Sequence, residues 1–441
     1  MKTIVAISTP IGAGGIGIVR VSGQDARKIA DAVFFKKGEG VGQILLENPL
    51  KMTFGTFVGD GFADKGYAVF FPENKSFTGE DTVEFYLHGG VRIMQGAVAT
   101  IISKGAVMAE AGEFTKRAYL NGRMSLSDAE GVADMIGAES SAGIRAAYRM
   151  MQGGIASKIN AVMDHLLTIL ATLEASLDYP DEMEDEIMPA LEQALPEALA
   201  RVRALAQSFY MGRIAKHGME VVIAGEPNVG KSSLLNALVG ENRAIVTDIA
   251  GTTRDTVTAR AEVGGVMLNL TDTAGLRDSD DLVESIGVER AKSALKGADV
   301  VLYVLDGTKD TTPEELDTDG KIFYVYNKCD KAGFSVKTHG DNVYAVSAKS
   351  GQGVDALASA VASIYQEGGV SDGDLITSQR HVSALKSAIL SIEHAIAHKN
   401  DTIDCVLIDL REAYSSLGEI TGATATEDIV NSIFTKFCVG K

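Results

Sequence analysis

Gly225-Glu226-Pro227-Asn228-Val229-Gly230-Lys231-Ser232-Ser233 is the stretch of this sequence that decides the fold. It follows an apolar, strand-like run and precedes a helical pattern, which is the context that G-x-x-x-x-G-K-[ST] requires. Glycines in such a loop let backbone N–H groups surround a phosphate, and the following helix N-terminus adds a partial positive charge. We therefore predict a nucleotide site in which Lys231 spans the β- and γ-phosphates and Ser232 binds Mg²⁺.

Two motifs downstream complete the phosphate side of this site. Asp272-Thr273-Ala274-Gly275 follows a second strand-like run, so Asp272 is predicted to hold the Mg²⁺ through water and Gly275 to donate its N–H to the γ-phosphate. Gly251-Thr252-Thr253-Arg254-Asp255 lies between the loop and this motif. Thr253 is expected to be the second hydroxyl ligand of Mg²⁺, in a mobile switch loop.

Two more motifs predict which base is bound. Asn327-Lys328-Cys329-Asp330 ends a later strand-like run, and the Asp330 carboxylate can accept hydrogen bonds from guanine N1–H and the exocyclic amine. Adenine offers no such pair of donors. Ser347-Ala348-Lys349 follows another strand, and its backbone is expected to contact guanine O6. Together the motifs predict a GTP-binding and GTP-hydrolysing domain.

These motifs leave open which residue orients the attacking water. Ras-like enzymes carry a Gln directly after D-x-x-G, whereas Leu276 stands there in this chain. Either help in trans or a nearby acid must replace it, and the nearby acids are Asp278, Asp280, Asp281 and Glu284. Arg254 is either an arginine finger or a solvated switch arginine. The Asn228 side chain either binds a monovalent cation that replaces an arginine finger or is a turn residue.

Composition restricts the other possibilities. A chain of 441 residues is too long for one hydrophobic core, so two or three domains are expected. The net charge of −18 argues against a broad nucleic-acid-binding surface, though not against a local basic patch. Without a long apolar run or a signal peptide, the chain is predicted to be cytoplasmic and not inserted in a membrane. Its three cysteines are too few and too scattered for a disulfide framework or a zinc site.

Helical patterns flank the GTPase motifs on both sides. Residues 1–120 are predicted to be mixed α/β, with strands at Ile16–Val21, Tyr67–Phe71 and Thr82–Leu87. The flanking helical segments carry apolar residues at three- and four-residue steps: Met163, Leu166, Leu167, Leu170 and Leu177, then Val382, Leu385, Ile389, Ile392 and Ile396, then Ile403, Val406, Leu407, Leu410, Tyr414 and Leu417. We predict that the α/β block is inserted into a helical domain whose two parts pack together.

Segments outside the GTPase motifs carry a resemblance to a known family. They are Thr3-Ile4-Val5-Ala6, Gly14-Gly15-Ile16-Gly17-Ile18-Val19-Arg20, Phe77-Thr78-Gly79-Glu80-Asp81, His88-Gly89-Gly90, Gly112-Glu113-Phe114-Thr115-Lys116-Arg117-Ala118, Asn121-Gly122-Arg123 and Phe437-Cys438-Val439-Gly440-Lys441. With them, the chain resembles the tRNA-modification GTPases called MnmE or TrmE over nearly its whole length. The resemblance implies an α+β, tetrahydrofolate-binding-like domain at 1–118 that mediates homodimerisation. It also implies a discontinuous helical domain at 119–215 and 370–441, and an inserted Ras-like P-loop GTPase domain at 216–369.

The resemblance also implies ligands for both domains. A tetrahydrofolate derivative of the 5-formyl or 5,10-methylene type would contact Arg20, Glu84, Arg123 and Lys441, with Glu80 as the alternative to Glu84. K⁺ that stimulates hydrolysis would be bound by Asn228 and by the backbone carbonyls of Thr247, Ile249 and Thr252. Cys438 matches a cysteine important for the modification, and the alternative is a buried helix residue.

The same resemblance assigns the residues that contact GTP. Lys231 and Glu284 would be catalytic, with Glu284 orienting the water, although Asp278 and Asp280 are further candidates for that role. The implied GTP contacts are Asn228, Val229, Gly230, Lys231, Ser232, Ser233, Thr247, Asp248, Ile249, Ala250, Gly251, Thr252, Thr253, Asp272, Thr273, Ala274, Gly275, Asn327, Lys328, Asp330, Ser347, Ala348 and Lys349.

The implied activity requires a partner. With a flavoprotein called MnmG or GidA, in a heterotetramer or larger complex, the family adds a carboxymethylaminomethyl-type group at C5 of the wobble uridine, U34, of tRNA. The chain is expected to have no dinucleotide site and so no flavin of its own. The alternative is a ribosome-assembly GTPase or another regulatory switch, which usually carries a basic domain that is not visible here. A membrane-transport GTPase would need long apolar membrane-spanning segments, which the sequence lacks.

Overall fold

The computed structural model describes residues 1–178, 180–243, 258–272, 284–309, 313, 315–336, 341–367, 375–399 and 402–440. The strands are β1 (Ile4–Ile7), β2 (Gly14–Ser22), β3 (Phe34–Lys36), β4 (Glu39–Gly40), β5 (Thr53–Gly59), β6 (Phe62–Phe71), β7 (Thr82–Gly89), β8 (Val107–Met108), β9 (Met219–Ala224), β10 (Thr258–Val263), β11 (Val266–Asp272), β12 (Val300–Asp306), β13 (Lys321–Asn327) and β14 (Val343–Ala345). The helices are α1 (Ala26–Val33), α2 (Gly42–Glu47), α3 (Val91–Ser103), α4 (Glu113–Leu120), α5 (Leu126–Gly137), α6 (Ser141–Met151), α7 (Gly154–Asp178), α8 (Pro180–Gln207), α9 (Phe209–His217), α10 (Lys231–Arg243), α11 (Glu284–Gly297), α12 (Val354–Glu367), α13 (Gln379–Ala397), α14 (Ile403–Thr421) and α15 (Glu427–Phe434).

The chain divides into two compact units. The first comprises Met1–Ala133, Met150–Ala198 and Ser387–Lys441, and the second comprises Asp134–Arg149 and Leu199–Lys386. The longer segment of the second unit therefore lies, along the sequence, between two segments of the first, which agrees with the predicted insertion. The three-domain boundaries given above stay a prediction.

The first unit is built on an eight-stranded sheet in the order β4-β3-β5-β6-β7-β2-β1-β8. All neighbours are antiparallel except β1 and β8. Helices α1 and α3 pack on one face, where alternate residues of the strands are buried because successive side chains point to opposite faces. In this core the centre of the Phe85 ring lies 5.8 Å from that of Phe34 and 5.5 Å from that of Phe57. The three predicted strands of this region are confirmed as parts of β2, β6 and β7.

Helices α7 and α14 of the first unit pack against each other. The predicted apolar stripe of α14 is buried at Val406, Leu407, Leu410 and Leu417, and α13 likewise buries most of its stripe. On α7, however, Leu167 and Leu177 are exposed, so their assignment to the buried face is wrong. The buried stripe of α7 runs through Ile159, Val162, Leu166, Ile169 and Leu173. Since each residue turns a helix by about 100°, Leu167 falls outside that stripe.

The second unit contains a six-stranded sheet in the order β10-β11-β9-β12-β13-β14. Only the β10–β11 pair is antiparallel. All residues of β11 and β12 are buried, as expected for parallel strands that are covered on both faces. The strands predicted before the GTPase motifs are confirmed as β9, β11, β13 and β14, whereas the hairpin strand β10 was not predicted. The phosphate loop follows β9, which lies between β11 and β12.

The architecture is thus an α+β N-terminal sheet, a set of long helices and an α/β unit of P-loop type. Within the described ranges, none of the helices has both the length and the apolar character needed to cross a bilayer.

Leu410→Ala should destabilise the first unit by about 2–5 kcal/mol, because it leaves a cavity where a fully buried side chain packs on α14. Ile408→Ala, two positions away, is the matched control, since Ile408 is 62% exposed. Hydrogen exchange at α7 and α14 during urea titration of the whole chain measures both effects. Equal effects of the two changes would contradict the packing described here.

Candidate functional site

The loop Gly225–Gly230 leaves β9 in a conformation that two glycines make possible. Gly225 has φ +141°, and a Cβ there would lie 2.3 Å from the Val304 carbonyl oxygen. Gly230 has φ +100°, and a Cβ there would lie 2.3 Å from the Asn327 side-chain nitrogen. Asn228 is also left-handed, at φ +64°. Any side chain larger than hydrogen at either glycine would therefore push the loop off the sheet.

The side chains that follow the loop converge on the place where phosphates are expected. The Lys231 ammonium lies inside the loop and donates hydrogen bonds to the carbonyl oxygens of Gly225, at 3.0 Å, and Glu226, at 2.8 Å. Ser232 Oγ donates to Asp272 Oδ2 at 2.7 Å. The structure thus brings together two of the three predicted Mg²⁺ residues, and their hydroxyl and carboxylate oxygens are donors that suit Mg²⁺.

Asn327 connects the loop with the segments predicted to recognise the base. Its Nδ2 donates to the Val229 carbonyl oxygen at 2.9 Å. Its Oδ1 accepts hydrogen bonds from the backbone N–H of Lys328, at 2.8 Å, and of Ala348, at 3.0 Å. Asn327 is buried, and both its side-chain nitrogen and its side-chain oxygen have partners, so it holds three segments together.

Lys328 makes a second connection to the loop. Its ammonium donates to the Asn228 carbonyl oxygen at 3.2 Å and forms an ion pair with Asp306 Oδ2. Asp306 ends β12 and was missed in the sequence analysis, although a buried acid at the carboxyl end of a parallel strand is a usable signal. Burial raises the pKa of Asp306, but hydrogen bonds from Lys328 and Thr308, together with the positive charge of Lys328, lower it to about 2. Asp306 is therefore ionised at neutral pH.

Asp330 and Ser347 form the predicted base-binding edge. A hydrogen bond from the Ser347 side chain is the largest influence on Asp330 and lowers the pKa of its carboxyl group, so the acceptor form is favoured. The Ser347 N–H donates to the Gln352 carbonyl oxygen at 2.9 Å, and the Ser350 N–H donates to Ser347 Oγ at 3.2 Å. The turn after β14 is thereby fixed beside Asp330.

Part of the predicted nucleotide site lies outside the described residues. This applies to Leu276 and Arg254, to the candidate acids Asp278, Asp280 and Asp281, and to the predicted contacts Thr247, Asp248, Ile249, Ala250, Gly251, Thr252, Thr253, Thr273, Ala274 and Gly275. Glu284 is the first residue of α11, and its side chain is not among those described. Of the predicted K⁺ ligands, the described part of the chain includes Asn228, which is exposed.

A second polar cluster lies on the sheet of the first unit. Arg20 Nε and Glu84 Oε1, which face each other on β2 and β7, are 2.7 Å apart. Tyr86 donates its hydroxyl hydrogen to Glu84 Oε2 at 2.8 Å, and the Arg20 guanidinium lies 5.5 Å from the centre of the Phe114 ring. Burial of Tyr86, its hydrogen bond to Glu84 and the negative charge of Glu84 raise the pKa of Tyr86 to about 12. Tyr86 therefore remains a hydrogen-bond donor at neutral pH.

Glu80 belongs to a different ion pair. Its carboxylate accepts from Arg117, at 2.9 and 3.2 Å, and from the Ser22 hydroxyl at 2.9 Å. Arg117 also donates to Glu113, and its side chain is only 4% exposed. Glu80 thus neutralises a buried cation, while Glu84 is the acid that pairs with Arg20.

Arg123 lies beside the loop that precedes β7. Its guanidinium donates to the carbonyl oxygens of Asn74, at 3.1 Å, and Ser76, at 3.4 Å. The Asn121 side chain anchors the same loop by donating to the Thr78 carbonyl oxygen at 2.7 Å. The structure therefore pairs Arg20 with Glu84 directly, and Arg123 has backbone partners instead.

The chain end lies against the N-terminal sheet of the first unit. Val439 forms a β-bridge with Ala111, and a Cβ on Gly440 would lie 2.1 Å from the Ile7 carbonyl oxygen. Cys438 is exposed and follows the end of α15, so the alternative of a buried helix residue is wrong. Lys441 lies outside the described residues, next to Gly440.

Comparisons with known proteins cover the chain from end to end. A family model described as GTP-binding protein TrmE N-terminus matches residues 3–123, and one described as MnmE helical domain matches residues 126–438. A protein of Finegoldia magna described as tRNA modification GTPase MnmE is 38% identical over 453 residues, which is 99% of each chain. A protein of Carboxydothermus hydrogenoformans with the same description is 41% identical over 461 residues, covering 100% of this chain and 99% of its own. Among solved structures, the G domain of the T. maritima FeoB iron transporter is 27% identical over 34% of this chain and 98% of its own, with a TM-score of 0.25.

Gly230→Ala should weaken nucleotide binding by at least about tenfold, because the added methyl group displaces the phosphate loop from Asn327. A displacement that costs ~1.4 kcal/mol of binding free energy is enough for a tenfold loss. Gly333→Ala is the matched control. Gly333 is also left-handed, at φ +82°, but a Cβ there would have no atom within 4 Å. Fluorescence titration with a labelled guanine nucleotide measures both. Wild-type affinity in Gly230→Ala would contradict the close approach to Asn327.

Proposed function

The chain belongs to the MnmE (TrmE) family of tRNA modification GTPases, and on that premise we propose that it binds and hydrolyses GTP between Gly225 and Lys349, with K⁺ stimulation, as part of a tRNA-modifying complex. The modification proposed is a carboxymethylaminomethyl-type group at C5 of the wobble uridine, U34, made with a folate one-carbon unit and a flavoprotein partner. A ribosome-assembly GTPase is not favoured, since both flanks of the GTPase motifs match models of this family.

One observation carries the GTPase part of the proposal. The Asn327 side chain holds the phosphate loop, the Asn327–Asp330 motif and the segment beginning at Ser347 together through three hydrogen bonds of 2.8–3.0 Å. These segments are far apart in sequence and meet at the carboxyl edge of one parallel sheet, which is where ligands bind in open α/β folds. This arrangement supports a single nucleotide site, with the predicted phosphate-binding groups and the predicted guanine-binding groups close together.

The residues of the loop have distinct parts in hydrolysis. The Lys231 ammonium is placed to neutralise charge that develops on the phosphate oxygens, and the backbone N–H groups at the start of α10 favour the same charge. Ser232 and Asp272 would hold Mg²⁺, which shields the phosphate charge when it is bound. Glu284 is the proposed water-orienting acid, on the basis of the family resemblance.

Asn228 supports the K⁺ part of the proposal. It is exposed at the edge of the phosphate loop, its backbone is left-handed, and its carbonyl accepts a hydrogen bond from Lys328. A side-chain oxygen there could face a cation beside the phosphates. We propose that K⁺ binds this oxygen and the carbonyls of Thr247, Ile249 and Thr252.

GTP turnover should be faster in KCl than in NaCl at matched ionic strength, and Asn228→Gly should abolish the difference. Glycine is the better replacement than alanine, because it accepts φ +64° without strain and removes only the side chain. Glu284→Gln should bind GTP normally and turn it over slowly. Steady-state phosphate release measures turnover, and nucleotide titration measures binding.

Equal wild-type rates in the two salts would contradict the K⁺ mechanism and leave a GTPase that needs an external activator. Normal turnover by Glu284→Gln would transfer the water-orienting role to another acid of the same segment.

The first unit supports the folate part of the proposal. Arg20 is 20% exposed and Glu84 is 11% exposed, so this ion pair can be reached by a ligand. An arginine beside a carboxylate matches the mixed charge of a folate, whose pterin donates hydrogen bonds and whose glutamate tail is anionic. Gly440 contacts the backbone of Ile7. The preceding residue, Ala6, pairs with Arg20 across β1 and β2. Lys441 therefore follows directly on a segment close to the Arg20–Glu84 ion pair.

Glu84→Gln should weaken binding of 5-formyltetrahydrofolate by roughly tenfold or more, because it removes a charge-assisted acceptor. Glu80→Gln should leave folate affinity within about threefold of wild type but lower thermal stability, because it leaves the buried Arg117 less well neutralised. Calorimetric titration and thermal unfolding measure the two properties. The reverse pattern would assign the folate site to Glu80.

An aromatic patch supports the proposed homodimer. Phe54, Tyr67 and Tyr86 face one another across β5, β6 and β7, and Phe54 and Tyr67 are 54% and 44% exposed. Exposed apolar patches of this kind mark interaction sites. We propose a homodimer in the cytoplasm that leaves redox chemistry to a flavoprotein such as MnmG. Most of the tRNA contact is also left to that partner, in keeping with the net charge of −18.

A further inference from the structure

Asp306 forms a chain of contacts that ends at the phosphate loop. Its Oδ2 pairs with the Lys328 ammonium, which also donates to the Asn228 carbonyl oxygen at 3.2 Å. Its Oδ1 accepts from Thr308, from the hydroxyl at 2.7 Å and the backbone N–H at 3.1 Å. Both carboxylate oxygens are therefore used, one toward the loop after β12 and the other toward the nucleotide site.

The two residues that this chain joins both have left-handed backbones. Asn228 has φ +64° and Lys328 has φ +70°. Asparagine adopts this region readily, whereas lysine seldom does, so the conformation of Lys328 persists because surrounding contacts hold it. The Lys328 ammonium links this strained position to the carbonyl of Asn228, and Asp306 fixes that ammonium in place.

We propose that Asp306 is a positioning residue for guanine-nucleotide binding: it holds Lys328 against the Asn228 carbonyl and so locks the phosphate loop to the base-recognising segment. Asp306 acts through Lys328, and no contact of its own with the nucleotide is required. The inference rests on the proposed guanine-nucleotide site and adds to it a residue that belongs to none of the sequence motifs.

The proposal separates binding from turnover. Without Asp306, the Lys328 ammonium loses a charge-assisted partner, and the phosphate and base segments keep the Asn327 contacts but lose this second connection, so they are held less firmly. The free protein then has to order these segments when the nucleotide binds, which raises the dissociation constant. Once GTP is bound, Lys231, Ser232 and Asp272 are in their places, so turnover at saturating GTP should change little.

Asp306→Asn should raise the dissociation constants of GTP and GDP by about 10–100-fold, as expected for a lost charge-assisted hydrogen bond. The rate at saturating GTP should stay within about threefold of wild type. Asp299→Asn is the matched control. Asp299 lies just before the other end of β12, is also buried, and pairs with Arg213 and the Glu220 N–H, away from the nucleotide motifs. It should lower thermal stability and leave the nucleotide dissociation constants unchanged.

A double-mutant cycle with Lys328→Met tests whether Asp306 acts through Lys328. In the Lys328→Met background, Asp306→Asn should change the GTP dissociation constant by less than about threefold, since the partner is already gone. Wild-type affinity in Asp306→Asn, the same loss in Asp299→Asn, or an undiminished effect in the Lys328→Met background would each overturn the proposal. Failure of the wild-type chain to bind guanine nucleotides would instead overturn the proposed function.

Discussion

The Asn327 side chain fixes the phosphate loop to the segments predicted to recognise the base, and the geometry of the candidate nucleotide site depends on this connection. Its amide nitrogen reaches Val229, and its oxygen receives two backbone N–H groups. The close approach leaves no room for a Cβ at Gly230. A buried amide whose nitrogen and oxygen are both hydrogen-bonded is costly to disturb, so the contacts of the phosphate loop with the Asn327 and Ala348 segments are formed without a ligand.

In the first unit, the same pair of residue types has two physical roles. Arg117 is nearly excluded from solvent and is neutralised by Glu80 and Glu113, which is what a buried guanidinium requires. Arg20 keeps part of its surface exposed beside Glu84 and an aromatic ring. The first arrangement stabilises the unit, and the second leaves charge available for a ligand. Burial of the arginine, more than residue type, separates the two.

Local patterns predicted the strands that carry the GTPase motifs, because an apolar run followed by glycine or acidic residues indicates a buried strand that ends in a turn. The local patterns failed where the burial of a residue depends on neighbouring elements of the fold. Leu167 fits a helical stripe but lies outside the face that α7 buries, and the polar sequence of β10 carried no strand signal. Asp306 was missed because its partner, Lys328, comes 22 residues later, directly after the end of β13.

By itself the sequence determined the family and the GTPase fold, and it predicted the chemistry of the site: a phosphate loop, a magnesium pair and a guanine-recognising acid, each in a short segment at a strand end. Phosphate and guanine impose their requirements on residue types over a few positions, so these motifs can be recognised without tertiary structure. The tertiary structure alone decided which acid pairs with which arginine. Arg20 and Glu84 are 64 residues apart, and Glu80 and Arg117 are 37 apart. Strand register and helix packing, which bring such residues together, are properties of the whole fold and leave no local trace in the sequence.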